Sequence, residues 1–213
     1  MRSTSMWLSC AAHVALAAGS AAWLSLRRGT LFSAPENDRL YPLVPEAGKL
    51  LAGGGARFWL GMTAALFAAV LTVHATRVLV AQTRWARALH ITLRGSLLGA
   101  TPSQMLLLAG TSACAEELFF RALLGSGVGF VSSSAIFGIL HGVRRQSPLA
   151  VAAWSFGMGL VFSGLYLASG TLLAPMLAHC VINYENMQYI CNYDPTPLDM
   201  DRFSVSGESE PEG

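Results

Sequence analysis

Two adjacent glutamates, Glu116 and Glu117, interrupt a stretch that is otherwise apolar, and Arg121 follows four residues after the second. Further along, His141 closes the run Phe137-Gly-Ile-Leu-His141, and His179-Cys-Val-Ile-Asn183 places a histidine and an asparagine four residues apart. On a helix such a spacing puts both members of a pair on one face. Glu117 and Arg121 then stand in the favourable order for an ion pair, acid before base, while Glu116 is rotated from Glu117 by about 100°. Arg121 compensates Glu117 and leaves Glu116 free. A partly desolvated carboxylate near a cation suits the role of a general base acting on water, and His and Asn side chains can donate to the oxyanion of an attacked carbonyl. Amide hydrolysis is the chemistry this set fits. The other reading of the same residues is a buried Glu/Glu/Arg cluster that only fixes helix packing. His13 and His74 read as core or helix-end residues.

These groups have to be held by helices that lie in a membrane. The chain has 213 residues, of which 53% are hydrophobic and 12% charged, with a mean hydropathy of +0.48; soluble domains carry roughly 25% charged residues. The apolar residues come in blocks of about 20, the length that crosses ~30 Å of hydrocarbon. The expected fold is all-α, a polytopic membrane helix bundle of about six spans, at residues 6–26, 58–76, 101–124, 131–143, 147–168 and 171–190. The third has a legible start, with Thr101 as N-cap, Pro102 in the first position and Gln104 completing a capping box, and Gly125 as its expected stop. Glu116 falls about 21 Å past Pro102, well inside the bilayer. A charge there costs at least ~2.5 to 3.5 kcal/mol, which makes a polar cavity and a functional role the expectation.

Small residues at four-residue spacing, Gly138 and Gly142, then Gly159 and Ser163, predict close approach of the fourth and fifth blocks. The segment with Pro35, Pro42, Pro45 and Gly53-Gly54-Gly55 reads as a loop, partly interfacial. Residues 83–94 set Arg84, Arg87 and Arg94 on one stripe and Trp85, Ala88, Leu89 and Leu93 on the other, the pattern of a helix in the headgroup plane or of a basic end to the second block.

Residues 1–100 hold ten of the fourteen basic side chains, and residues 185–213 hold seven acids. Anionic lipid is the partner this suggests; nucleic acid is not, because no basic run interleaves with aromatics. Arg144 and Arg145, with residues 77–94, mark the expected cytoplasmic side. Arg27 and Arg28 after a long first block favour an uncleaved anchor over a signal peptide. The four cysteines, in no C-x-x-C pair, read as packed thiols. Three regions follow: 1–100, an amino-terminal membrane anchor region with two spans and a basic interfacial segment; 101–190, a catalytic helix core; and 191–213, an acidic disordered tail.

The stretches Ala115-Glu-Glu-Leu-Phe-Phe-Arg121, Ser134-Ala-Ile-Phe-Gly-Ile-Leu-His141 and Gly164-Leu-Tyr-Leu-Ala-Ser-Gly-Thr-Leu-Leu-Ala-Pro-Met-Leu-Ala-His179, continuing to Asn183, resemble the three motifs of the CPBP family, the CAAX-protease and bacteriocin-processing (Abi) intramembrane endopeptidases. The family pattern is E-E-x-x-x-R, F-x-x-x-H and H-x-x-x-N, in that order on separate helices, and all three are intact. The resemblance covers about residues 103–190. It implies that Glu116 activates water, that His141 positions it, that His179 and Asn183 stabilise the oxyanion, and that Glu117, Arg121 and Phe137 support the site.

The family was long described as metal-dependent, and Glu and His are zinc ligands; the metal-free glutamate mechanism ranks first here, because no H-E-x-x-H is present and Asn is a poor zinc ligand. No cofactor is therefore expected. The implied substrate is a membrane-embedded or membrane-associated protein or peptide. One bacterial branch, the myxosortase-like one, is thought to remove C-terminal sorting segments of surface proteins. Thirteen arginines against one lysine, with much Ala, Gly and Leu, suggest a bacterial chain and hence the inner membrane. The competing classes are a non-catalytic scaffold or immunity protein built on the same polar cluster, and a proton-coupled carrier, which lacks a duplicated half in this sequence.

Overall fold

A computed structural model describes residues 2–28, 54–143 and 145–196, with side chains described at 7–23, 55–143 and 145–196. Within them the chain is all-α, with seven helices. These are α1 (Arg2–Arg28), α2 (Gly54–Gln82), α3 (Arg84–Leu97), α4 (residues 102–128), α5 (Phe130–Gly142), α6 (Pro148–Ser169) and α7 (Leu173–Asn192). The expected loop up to Gly53, Arg144 and the acidic tail beyond residue 196 lie outside the described residues, whereas Gly54 and Gly55, expected in that loop, open α2 as its first turn, whose amides need no partner within the helix.

The start of α4 matches its sequence signal. Thr101 Oγ1 accepts from the Gln104 amide at 3.3 Å, the Gln104 side chain accepts from the Thr101 amide at 2.9 Å, and Pro102 occupies the first turn. Its end does not match. The α-helical segment Pro102–Glu117 passes into a π-helical turn, Leu118–Leu124, and resumes as Gly125–Val128. The Gly125 amide bonds back five residues to the Phe120 carbonyl, which also accepts from Ser133 Oγ. Gly125 is therefore inside the rod, and Gly129, at φ 88°, ends it, a conformation that costs glycine little. Single π turns inside α-helices recur at functional sites, and this one begins directly after Glu117.

Helix α7 forms the centre, packing against α2, α4 and α6. Its Ala174 and Ala178 meet Ala65 and Ala69 of α2, all fully buried, with Phe162, Leu165 and Ile182 around them. Methyl side chains at four-residue spacing on both partners let the backbones approach, the usual device where lipid supplies no hydrophobic drive. The α5/α6 contact is tighter still, as the glycine spacing predicts. A Cβ on Gly138 would stand 2.6 Å from the Ala152 carbonyl oxygen, one on Gly142 2.5 Å from that of Pro148, and one on Gly159 2.8 Å from the Ser134 side chain.

Among the described residues two helices qualify as membrane spans by length and apolar content alone, residues 55–82 and Pro148–Ser169. Outward on α2, Phe67, Val70 and Leu71 are exposed, as on a helix bathed in lipid. Helix α5 is apolar but has 13 residues, about 20 Å. Helices α4 and α7 fall short for a different reason: Glu116, Glu117, Arg121, His179, Asn183 and Glu185 lower the apolar content of the helices that carry the candidate chemistry.

The basic stripe of α3 differs from expectation. Arg87 is 1% exposed and donates to the carbonyls of Val80 and Ala81 at the end of α2, while Arg94 donates to those of Ile190, Cys191 and Tyr193 at the end of α7. Arg57, near the start of α2, does the same for Leu167 and Ala168 at the end of α6. The last carbonyls of a helix have no partner within it and carry partial negative charge, so each arginine both bonds and neutralises a helix end. Among the cysteines Cys10 is buried, but Cys114 is exposed and does not pack as a core thiol.

Candidate active site

Glu116 and Glu117 are the only acids between Glu46 and Glu185, and α4 presents them to different surroundings. Glu117 is fully buried. Its Oε1 accepts from Arg121 Nη1 at 3.2 Å and from His179 Nδ1 at 2.8 Å. Arg121 Nε lies 3.1 Å from Oε2, an ionic contact without hydrogen-bond alignment. The guanidinium also donates from Nη2 to the Gly159 carbonyl of α6, and it sits over the rings of Phe137 and Phe162 at 4.7 and 5.2 Å. A buried arginine among aromatic faces replaces lost hydration with cation–π attraction. One carboxylate thus ties α4 to α7 through His179, and its partner Arg121 ties α4 to α6.

Among the described residues the ionic partners of Glu116 are all histidines. Its Oε2 lies 3.7 Å from His141 Nε2 and 3.8 Å from His179 Nε2, and its Oε1 lies 3.6 Å from His13 Nε2. Oε2 is buried and has no hydrogen-bond partner among the described residues. The two histidines facing it are oriented from behind. His141 Nδ1 donates to the Phe137 carbonyl at 2.9 Å and His179 Nδ1 to Glu117, so both turn Nε2 toward Glu116. A bond on one ring nitrogen fixes what the other can do. His179 is held further by stacking on Phe162, at 4.7 Å and 14°, and His141 by Phe137 at 4.2 Å.

A cavity of about 430 Å³ adjoins Glu116. His13, Ser112, Glu116 and Asn183 line it, with Thr76, His90, Arg145 and Asn186 further along, and Leu79, Trp85, Leu89, Leu93 and Leu108 among the apolar residues that make up most of its wall area. That is the usual make-up of a site that binds an apolar ligand in one orientation. The Asn183 amide donates to Ser112 Oγ at 3.1 Å, which fixes its direction and leaves its second N–H available.

Of the residues singled out in the sequence, Glu116, Glu117, Arg121, Phe137, His141 and His179 form one connected cluster, and Asn183 joins as a wall of the cavity that Glu116 shares. Sequence reasoning missed His13, Phe162, Ser112 and the Gly159 carbonyl. His13 had a usable signal, an ionisable group inside an apolar block, but nothing in α1 pairs it with another polar residue at helical spacing. Among the described residues no three His, Cys, Asp or Glu side chains are grouped as a metal ion requires; the ligands nearest to such a role are Glu116, His141 and His179.

Residues 98–184 match the family model described as type II CAAX prenyl endopeptidase, Rce1-like. Over these residues the chain is similar to the CPBP family. The family is one of membrane-embedded peptidases, and the CPBP core contains all seven residues expected from the motifs, whereas His13 lies outside it. No curated protein and no solved structure matches the chain.

Proposed function

We propose that the protein is an intramembrane endopeptidase in which Glu116 activates water. The observation that carries this reading is the Glu116 carboxylate itself: 14% exposed, with Oε2 buried and unpartnered among the described residues, facing two oriented Nε2 atoms and adjoining a largely apolar cavity. In the proposed sequence a water lies between Glu116 Oε2 and His141 Nε2. Glu116 takes one of its protons, and the hydroxide attacks the carbonyl carbon of a peptide bond in the cavity. The resulting oxyanion accepts from the free N–H of Asn183 and from Nε2–H of His179 in its imidazolium form, whose Nδ1–H is donated to Glu117. Glu116 then returns the proton to the amide nitrogen as the C–N bond breaks.

The apolar wall suits a membrane-embedded or membrane-associated protein or peptide. In a bacterial inner membrane this includes the C-terminal sorting segments of surface proteins. The reading takes six helices across the bilayer, with α3 at its surface near anionic lipid.

The test is a comparison of membranes from cells with the wild-type protein and with Glu116→Gln, scored by mass spectrometry of terminal peptides. Defined uncut precursors are expected only in the mutant, whose folding is unchanged because Gln keeps the shape of Glu. If both membranes carry the same termini, the glutamate base is wrong and the cluster is a packing device.

A further inference from the structure

The two oxygens of Glu116 face different parts of the molecule. Oε2 looks to His141 and His179, both within the CPBP core; Oε1 looks to His13 of α1, beyond that core. Three of the five histidines in the chain converge on this one carboxylate. His141 and His179 are anchored through Nδ1 to α5 and to Glu117, and they reach Glu116 from the protein side. His13 differs, because it lines the cavity along with Glu116.

We propose that His13 is a positioning residue that acts through Glu116: its Nε2 holds Oε1, so that the lone pairs of Oε2 are presented to the water between His141 and His179. A carboxylate with two equivalent oxygens and a rotatable terminal bond has no fixed direction unless one oxygen is engaged. Glu117, locked by Arg121 and His179, cannot supply that engagement, and among the described residues no arginine or lysine forms an ion pair with Glu116. The separation of 3.6 Å is longer than a formed hydrogen bond. Catalytic contacts in a ligand-free site often have this length and tighten when substrate excludes water. Helix α1 packs along both the first segment of α4 and its π turn, which sets the position of His13 from outside the matched region.

This inference rests on Glu116 as the base, and its test separates the two. The substrate is a precursor peptide that accumulates in Glu116→Gln membranes. Wild type, Glu116→Gln, His13→Ala and His13→Gln are assayed in detergent, with melting temperatures measured alongside. His13→Ala is expected to lower kcat about 10- to 100-fold with KM within twofold, added imidazole to restore most of the loss through the cavity, and His13→Gln, which keeps one N–H donor, to retain more activity than Ala. The double variant with Glu116→Gln is expected to be no slower than Glu116→Gln alone. Full activity in His13→Ala with a silent Glu116→Gln overturns the role of His13 and leaves the base in place. A slow His13→Ala that melts early and ignores imidazole also overturns it, because the loss is then structural. Turnover by Glu116→Gln overturns both readings together.

Discussion

The Nδ1 nitrogen of His179 stands 2.8 Å from Oε1 of Glu117, and that same oxygen accepts from Arg121. A histidine on α7 therefore takes its orientation from a carboxylate on α4 whose charge is matched by a neighbour one turn away. Glu117→Gln keeps the size of the side chain but offers the histidine an amide that can turn either end toward it, so Nε2 no longer has one assigned role. Turnover is expected to fall by about 10²- to 10⁴-fold, the range attributed to a positioned acid or base, with KM little changed. Steady-state rates on the processed precursor peptide check it.

Arg121→Ala is expected to act on stability as well as on rate. It leaves Glu117 buried and without its cation, and it removes the only donor from α4 to the Gly159 carbonyl among the bonds described. Breaking one partner of a buried pair costs on the order of 3 to 5 kcal/mol. Thermal unfolding in detergent measures this, and a melting temperature equal to that of wild type contradicts the hub role given to the pair.

Acid is expected to loosen the contact between α3 and α7. Burial holds the His90 imidazole below its ordinary value of 6.5, and nearby Arg94 pushes the same way, while the Tyr193 carbonyl and Asp194 oppose them. The Tyr189 and Tyr193 rings complete its surroundings. Because the unfolded chain binds this proton more readily, stability contributed here is complete above pH 6.5 and is lost as pH falls through the folded-state value. The difference in melting temperature between wild type and His90→Gln, followed from pH 8 to pH 5, should shrink on the acid side; a constant difference removes His90 from the account.

Strong chelators are expected to leave turnover unchanged, since the proposed steps use only carboxylate, imidazole and amide groups. Loss of activity on treatment with phenanthroline, recovered on adding zinc, would instead make Glu116, His141 and His179 its ligands.

What the sequence revealed and what it hid follow one physical line. The capping box at Thr101, the Glu117/Arg121 pair and the glycine-lined approach of α5 to α6 are all local or periodic. Their partners lie four residues away, or recur every turn, and were legible. The π turn is not written in any periodicity, because one extra residue in a turn changes the phase without changing composition. His13 and Ser112 acquire meaning only when α1 and α7 are laid against α4. From sequence Arg87 and Arg94 read as charge facing lipid and Arg57 has no assigned role, because the acceptors of all three are backbone carbonyls, and carbonyls at a helix end carry no sequence label.

Those arginines bear on how the protein can be divided. The match covers residues 98–184, yet the closing turn of α6, inside it, is completed by Arg57 from before it, and α7 runs past residue 184 to a closing turn completed by Arg94. A polypeptide trimmed to the family match would keep every motif residue, lose the arginine that finishes α6 and cut α7 short of its own closing turn. The smallest piece able to hold its shape is thus larger than the smallest piece that can be recognised, and the boundary drawn by similarity is not the boundary drawn by folding.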